Sequence, residues 1–344
     1  MDAGAPMIGL LGATGYTGRL VAAELVARGV PHRLGGRSAD RLAALPASPL
    51  ADTAVVDTGD PGALRAFLAG LDAVISCVGP FSSYGLPVME AVVESRTPYV
   101  DSTGEPDFIR RVYDRYADAP CPLVPACGFD YIPGDLAVAI AIEELGTPAT
   151  AVDVGYELTG GAVSRGTMLS ALGVVGTAHL SGRRLRIEFP DGTRTAVEIP
   201  WGEQVTVPRH APGARVASGI VVPQAAANAV SLMAPLLSLS RPVLPLLAAA
   251  VRPLVERRPE GPSEQVRAAA RFRIVARASA GERSARVLVE GADVYGLTAR
   301  FLVEAALRVA GPDAPTGALA PAQVLPPRAF LDATGGPDLR WRVL

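Results

Sequence analysis

Three glycines spaced three residues apart follow a short apolar run near the start of the chain. Gly12, Gly15 and Gly18 come directly after residues 7–11, and apolar residues at helical spacing follow them. This order predicts a strand, a tight turn and a helix. Glycines in such a turn let the backbone approach a pyrophosphate, and the amides at the helix N-terminus then face the anion. The spacing therefore predicts a dinucleotide site, with an ordinary glycine-rich turn between strand and helix as the alternative.

The residues after the second predicted strand indicate which dinucleotide is preferred. This strand covers about residues 31–34 and is followed by Gly36, Arg37 and Ser38, with no acidic residue among them. Enzymes that prefer NAD usually carry Asp or Glu here to bind the ribose 2′-hydroxyl, whereas arginine suits a 2′-phosphate. We therefore predict NADP(H). In the alternative, Arg37 is a solvated surface residue and Ser38 caps the next helix.

Polar or small residues also follow the later strands of this region. Asp57 ends the third strand, where an adenine ring would rest, and residues 77–81 end the fourth, where the nicotinamide half would pass. Ligands of open parallel sheets bind beyond the carboxyl ends of the strands. The predicted cofactor-binding residues are Gly12, Thr14, Gly15, Tyr16, Thr17, Gly18, Arg37, Ser38, Asp57, Cys77, Val78, Gly79, Pro80, Phe81 and Gly104.

A reductase that uses such a cofactor also needs a group that supplies a proton opposite the hydride. Hydroxyl and carboxyl groups on the strand-end loops are the candidates, and we predict Tyr84, Asp130 and Tyr131 as catalytic, with Asp101 and Glu105 as further acids. Asp130 and Tyr131 follow the last parallel strand, where a second domain would begin. In the alternative, Asp130 caps the next helix and Tyr131 belongs to the core.

Strands and helices alternate through about residue 125, which predicts a doubly wound parallel sheet. The pattern then changes to alternating strands, with a hairpin turn at residues 190–193. The predicted fold class is α/β: a Rossmann doubly wound parallel sheet with a second α+β domain built on an antiparallel sheet. We expect residues 1–145 and 295–344 to form the cofactor domain and residues 146–294 the substrate and dimerisation domain.

Composition excludes several kinds of chemistry. The chain contains no lysine, which excludes a Schiff-base lysine, a P-loop lysine and a Tyr-x-x-x-Lys pair. A net charge of −2 does not indicate the basic surface with which proteins bind nucleic acid. No metal site is expected, because the cysteines and histidines form no ligand pattern. The cysteines suit small buried positions in a reducing, cytoplasmic compartment, and the histidines suit structural or surface positions. These residues are Cys77, Cys121, Cys127, His32, His179 and His210.

Residues 225–254 form the least typical segment, rich in leucine but interrupted by Arg241, Arg252 and several prolines. The interruptions argue against a membrane-spanning helix. We expect short helices buried in the second domain or in the interface of a homodimer. The alternative is a hydrophobic entrance that takes a lipid tail from a membrane surface or a carrier protein, with the chain then peripheral to the membrane.

Several of these motifs together resemble the saccharopine dehydrogenase-like NADP-binding oxidoreductases, in particular the trans-acting enoyl reductases of actinobacterial lipid and polyketide pathways. The motifs that carry the resemblance are residues 12–18, 36–38, 77–81, 84–88, 99–105 and 128–135, followed by 164–170, 261–264 and 291–299. The resemblance covers most of the chain and is densest before residue 136.

The resemblance implies NADPH-dependent reduction of a C=C (enoyl) bond in an apolar small molecule or carrier-bound intermediate of lipid or polyketide type. It also leaves open the reduction of a C=N or C=O bond in a smaller natural product. Saccharopine dehydrogenases handle amino-acid substrates with cationic side chains that include lysine, which this chain lacks. A cofactor-binding scaffold without turnover is the remaining alternative.

Overall fold

The computed structural model describes residues 5–161, 163–175, 182–199, 202–229, 232 and 244–344. The chain divides into two compact units. Unit 1 comprises Met1–Phe129 and Tyr295–Leu325, and unit 2 comprises Asp130–Val294 and Pro326–Leu344.

The strands, in chain order, are β1 (Ile8–Leu11), β2 (His32–Gly36), β3 (Ala51–Val55), β4 (Ala73–Ser76), β5 (Tyr99–Asp101), β6 (Pro122–Val124), β7 (Ala151–Thr159), β8 (Arg184–Phe189), β9 (Gly192–Glu198), β10 (Arg215–Val221), β11 (Arg271–Ala280), β12 (Arg283–Ala292), β13 (Gly317–Ala318) and β14 (Leu339–Val343). The helices are α1 (Tyr16–Ala27), α2 (Ala39–Ala43), α3 (Pro61–Leu68), α4 (Phe81–Ser95), α5 (Pro106–Arg115), α6 (Ile132–Leu145), α7 (Arg165–Val175), α8 (Glu203–Thr206), α9 (Leu244–Glu256), α10 (Glu264–Ala269), α11 (Val294–Val309), α12 (Pro321–Val324) and α13 (Pro327–Gly335). Residues 224–229 are also helical.

Unit 1 is built on a parallel sheet with the strand order β13-β6-β5-β4-β1-β2-β3. Each neighbouring pair in it runs parallel. The central strands β1 and β4 are buried along their whole length, which explains their continuous apolar runs. The predicted doubly wound parallel sheet is therefore confirmed, and the carboxyl ends of β1, β2, β4 and β5 share one edge.

Unit 2 is built on a second sheet with the order β14-β12-β11-β7-β10-β9-β8. We expected an antiparallel sheet, and most pairs are antiparallel, but β7 and β10 pair in parallel from Ala151 and Arg215 onward. The sheet is mixed because β10 continues the β8–β9 hairpin by pairing antiparallel with β9, and its other edge then lies parallel to β7. Helix α6, which is buried along most of its length, packs on β11 and β12.

The boundaries of the compact units differ from the predicted domain boundaries at two places. Residues 130–145 and 326–344 were placed with the cofactor domain, but they group with unit 2. Helix α6 lies in unit 2 because its apolar side chains cover β11 and β12. Strand β14 lies there because it completes the sheet beside β12, where Trp341 pairs with Val289.

The leucine-rich segment 225–254 is only partly described. Helix α9 accounts for its end, whereas residues 230–231 and 233–243 lie outside the described residues. Among the helices that are described, none has the length and apolar character that crossing a bilayer requires. The proposed interface or lipid-entrance role of this segment stays a prediction.

Candidate functional site

The glycine turn after β1 is tied to the neighbouring strands by backbone hydrogen bonds. The amides of Gly12 and Ala13 both donate to the carbonyl of Gly35 in β2, each at 3.0 Å. Gly12 has a φ of +81°, and a Cβ there would lie 2.9 Å from the carbonyl oxygen of Cys77 after β4. Both the left-handed backbone and the close approach therefore require glycine at position 12.

The start of α1 packs directly on this turn. A Cβ on Gly18 would overlap the carbonyl oxygen of Gly12 and lie 3.0 Å from Cα of Ala13. Gly15 is the N-cap of α1, and it has no side chain that could occupy the amides at the helix start. A helix N-terminus approached by bare backbone can bind an anion through its amides. The glycines thus let the N-terminus of α1 pack directly on the end of β1, an arrangement that suits the pyrophosphate of a dinucleotide.

Two arginine side chains contact the turn, and a third arginine follows β2. Arg37, directly after β2, is exposed. The Thr14 carbonyl accepts a hydrogen bond from Nη1 of Arg19 and another from Nη2 of Arg41, each at 2.8 Å. Ser38 accepts from the backbone amide of Arg41 at 3.3 Å and so caps α2. The helix-cap alternative for Ser38 is thus observed, and the guanidinium groups of Arg19 and Arg41 bring positive charge to the turn.

The loop after β4 passes beside the turn and leads into α4. The amide of Cys77 donates to the carbonyl of Leu11 at 2.9 Å, and burial raises the pKa of the Cys77 thiol to about 12. Glu105 accepts from the amides of Phe81 at 2.8 Å and Ser82 at 2.9 Å. Its carboxylate therefore caps the N-terminus of α4, which gives this candidate acid a structural role.

Asp101 is a fully buried carboxyl group at the end of β5. It accepts from the hydroxyl of Tyr99 at 2.8 Å and from the amides of Thr103 at 2.9 Å and Ala126 at 2.8 Å. Ala126 has a φ of +66°, the left-handed conformation that costs energy for a residue with a Cβ. Burial raises the pKa of Asp101 to about 7, despite these donors. Asp101 thus joins the loops that follow β5 and β6.

The predicted catalytic residues lie in different units. Tyr84 lies in the first turn of α4 in unit 1 and is 38% exposed. Asp130 and Tyr131 precede α6 in unit 2. Asp130 is partly buried, and burial raises its pKa to about 6. Tyr131 is fully buried, and a Cβ on Gly202 would overlap its ring. A shared catalytic role for the three residues stays a prediction.

The remaining predicted cofactor residues lie along the same edge of the unit 1 sheet. Tyr16 and Thr17 begin α1, and the Tyr16 ring packs edge-on against Tyr295 with the centroids 5.1 Å apart. Asp57 follows β3 and accepts from the Gly59 amide at 2.8 Å. Val78, Gly79 and Pro80 form the loop between β4 and α4, and Gly104 lies in the loop after β5. Their contact with a cofactor stays a prediction.

A buried polar cluster in unit 2 was not found from the sequence. The Glu203 carboxylate, which has no exposed surface, accepts from the hydroxyl of Tyr156 and from Oγ of Ser218 at 2.8 Å. Burial raises the pKa of Glu203 to about 7. These residues lie on three elements and are 47 and 15 positions from Glu203 along the chain. No local motif could have revealed a cluster built from such separate segments.

In the same region, the start of α6 packs against α8 and the residue before it. A Cβ on Gly134 would overlap the carboxylate of Glu203, just as one on Gly202 would overlap Tyr131. His210, which was expected to be a structural or surface residue, bonds Asp135 through Nε2 at 2.9 Å. Burial lowers the pKa of His210, but the charge and hydrogen bond of Asp135 outweigh it and raise that pKa above its ordinary value. His179 lies outside the described residues.

Comparison with known proteins agrees with the geometry of the turn. Residues 12–97 match a family model described as NAD(P)H-binding. A trans-acting enoyl reductase from Mycobacterium bovis is 39% identical over 140 residues, which cover 38% of this chain and 34% of that protein. A saccharopine dehydrogenase-like oxidoreductase from Arabidopsis thaliana is 34% identical over 160 residues, covering 41% and 35%. The resemblance predicted from the motifs is confirmed.

The solved structure of apo saccharopine dehydrogenase (L-Glu forming) from Saccharomyces cerevisiae shares the fold. It matches with a TM-score of 0.66 at 16% identity, over 99% of this chain and 100% of that one. A Mycobacterium tuberculosis protein with a trans-acting enoyl reductase name is 37% identical over 185 residues. Those residues are 49% of this chain and 44% of that protein. The chain thus spans less than half the length of each of these three curated relatives.

Among the residues that the structure describes, no group of three or more His, Cys, Asp or Glu side chains is placed to hold a metal ion.

Replacement of Gly18 by alanine should weaken NAD(P)H binding by at least about tenfold. The added methyl would overlap the Gly12 carbonyl, so the N-terminus of α1 must move away from the turn. Isothermal titration calorimetry measures the effect. Gly166→Ala is the matched control, because a Cβ in that helix would lie 3.7 Å from Oγ of Ser164, an ordinary contact. Equal affinities for the two variants would contradict the assignment of the turn.

Asp101→Asn should change how stability depends on pH. The folded pKa of about 7 lies above the ordinary 3.8, so the folded state keeps a proton that the unfolded chain has released between those values. Stability therefore falls as pH rises through this window, by up to about 1.4 kcal/mol per pH unit from this group. The asparagine variant does not lose stability in this way, and its side-chain oxygen can still accept from the Thr103 and Ala126 amides.

Urea unfolding at several pH values between 4 and 7 tests this expectation. The free energy of unfolding of Asp101→Asn should gain on that of the wild type as pH rises. Asp107→Asn, at an exposed site in α5, is the control for the loss of one carboxyl group. A constant difference between Asp101→Asn and the wild type would show that the buried carboxyl does not titrate in this range.

Proposed function

We propose that this chain is an NADP(H)-dependent oxidoreductase that reduces a C=C (enoyl) bond of a lipid or polyketide-type intermediate. The observation that carries the cofactor assignment is the close-packed turn of Gly12, Gly15 and Gly18 beside Arg37, with no acid at the end of β2. The names of the mycobacterial relatives support the enoyl reaction. We further propose an apolar substrate, either free or bound to a carrier protein.

The residues of unit 1 that would hold the cofactor have separate tasks. The glycine turn and the start of α1 would bind the pyrophosphate through backbone amides. Arg37 would bind the 2′-phosphate, and residues 77–81 would support the nicotinamide half. When bound, NADPH supplies the hydride. The chain then has to orient the acceptor, exclude water and provide one proton.

Two side chains suit the delivery of that proton. Tyr84 presents an exposed hydroxyl in the first turn of α4, directly after residues 77–81. Asp130 has a pKa raised to about 6 by burial, so it is protonated in more molecules near neutral pH than an exposed Asp. Tyr131 has no exposed surface, and we assign it the task of fixing the start of α6 through its contact with Gly202.

Reduction of a C=N bond is the second candidate function. The Arabidopsis relative carries a saccharopine dehydrogenase-like name. The resemblance implies that saccharopine dehydrogenases handle an amino-acid substrate with cationic side chains that include lysine, and the absence of lysine from this chain argues against that reaction. An apolar acyl chain makes no such demand, which favours the enoyl reaction.

NADPH oxidation followed by absorbance should distinguish these reactions. We expect turnover with enoyl thioesters of coenzyme A or acyl carrier protein, and none with an imine or ketone panel. Oxidation of NADPH with imines alone would overturn the enoyl assignment. Tight NADPH binding without turnover on any substrate would instead identify a scaffold.

Asp130→Asn should lower kcat by about tenfold or more while the Kd for NADPH stays unchanged, since Asn cannot release a proton.

Arg37→Asp should weaken NADPH binding more than NADH binding. The new carboxylate would repel the 2′-phosphate and suits a ribose 2′-hydroxyl. Fluorescence titration of both cofactors gives the two Kd values, and their ratio should shift towards NADH by about tenfold or more. Arg111→Asp, on the exposed side of α5, removes the same charge elsewhere in unit 1 and should leave the ratio unchanged. An unchanged ratio for Arg37→Asp would refute the proposed 2′-phosphate contact.

A further inference from the structure

The end of helix α9 exposes apolar side chains on one face. Leu254 is 66% exposed and Val251 is 43% exposed, and Ala250 is exposed beside them. At about 3.6 residues per turn, these three positions share one side of the helix. Val255, in contrast, is buried. We call the three exposed side chains the α9 patch.

Contacts with α7 fix the end of α9 in place. Helix α7 packs against α9, and Arg165 at its first position donates through Nη1 to the carbonyls of Glu256 and Arg258, each at 3.3 Å. The Arg165 amide donates to the Glu260 carbonyl at 3.0 Å, and Nη2 of Arg165 pairs with the Glu260 carboxylate at 3.4 Å. The guanidinium thus satisfies carbonyls at a helix end that has no internal partners for them. The α9 patch is therefore a surface on a helix whose end is held.

Positive charge directly follows the α9 patch. Arg257 and Arg258 come immediately after α9, and both are exposed. The acid within residues 249–258 is Glu256, whose carboxylate pairs with Arg252 at 3.0 Å. In the part of the chain that the structure describes, the Arg257 side chain makes no ion pair. The segment therefore combines exposed apolar side chains with two arginine charges that no acid within it offsets.

We propose that the α9 patch, together with Arg257 and Arg258, docks this chain on an anionic lipid surface. At such a surface apolar side chains enter the boundary between headgroups and acyl chains, while arginines contact the lipid phosphates. Few side chains take part, so the binding is peripheral and reversible. This inference goes beyond the proposed reaction and does not depend on it, because lipid binding is measured without cofactor or substrate.

The size and charge of the patch favour a lipid surface over a second copy of this chain. Three side chains of this size expose on the order of 200 Å², whereas a stable protein interface buries about 800 Å² per partner. A symmetric contact between two copies would also bring a second pair of the same arginine charges to one interface. An anionic bilayer offers the opposite charge, and its headgroups and acyl chains adapt to a small patch without a matching surface.

Co-sedimentation of the full chain with vesicles tests this proposal. Vesicles of phosphatidylcholine with phosphatidylglycerol should bind the chain, and vesicles of phosphatidylcholine alone should bind it less, with added salt weakening the difference. Arg257→Gln should lower partitioning to the anionic vesicles by about fivefold. Leu254→Ser should lower it by about tenfold. The matched controls are Arg111→Gln, at an exposed position of α5, and Leu50→Ser, at a position 38% exposed before β3, and both should bind as the wild type does.

Several outcomes would overturn the proposal. A wild type that binds neither vesicle, or binds both equally, would show that this face does not recognise anionic lipid, and so would unchanged binding of Arg257→Gln and Leu254→Ser. A dimer in sedimentation equilibrium that Leu254→Ser abolishes would assign the patch to a second copy. Binding to acyl carrier protein without binding to vesicles would assign it to an acidic protein. Thermal unfolding of each variant identifies losses that come from misfolding, and turnover on soluble enoyl thioesters tests the proposed function separately.

Discussion

The close contact between the Gly12 carbonyl and the backbone of Gly18 is the constraint on which the candidate cofactor site depends. It sets the start of α1 directly on the end of β1, and it holds only while position 18 has no side chain. Hydrogen bonds from the turn to β2, and the approach of Gly12 to the Cys77 carbonyl after β4, fix the turn against two further strands. A helix N-terminus is thereby presented at the carboxyl edge of the sheet, which is where parallel sheets bind their ligands.

Each unit also contains a buried carboxyl group that organises the loops around it. In unit 1, Asp101 bonds two loop amides, one of them from Ala126 in a left-handed conformation. In unit 2, Glu203 bonds Tyr156 and Ser218 and approaches the backbone of Gly134. Burying a carboxyl group without such donors would cost several kcal/mol, roughly, whereas the observed donors offset much of that cost. In both carboxyl groups the effect of burial on the pKa exceeds that of the hydrogen-bond donors, and the pKa of each group is raised to about 7.

The residues with proposed roles belong to both units. The glycine turn and the arginines beside it belong to unit 1, and they concern the cofactor alone. The start of α6, with Asp130 exposed in part and Tyr131 buried against Gly202, belongs to unit 2. The cofactor residues can thus be tested by binding without any substrate. The proposed proton donors, Tyr84 in unit 1 and Asp130 in unit 2, act only during turnover.

The amino-acid sequence by itself determined the parallel sheet and the dinucleotide turn, because both depend on short-range patterns: buried apolar strands, glycine spacing and the residues that follow each strand. The same motifs also carried the resemblance to trans-acting enoyl reductases and saccharopine dehydrogenase-like oxidoreductases. Tertiary structure alone decided the rest. Strand β10 pairs with β7, where Arg215 lies opposite Ala151, and Glu203 contacts Tyr156 at a sequence separation of 47 residues. Arg41 reaches Thr14 from another helix, and α6 belongs to unit 2 because its apolar face fits β11 and β12. Such contacts depend on which surfaces pack together, and no local spacing records that.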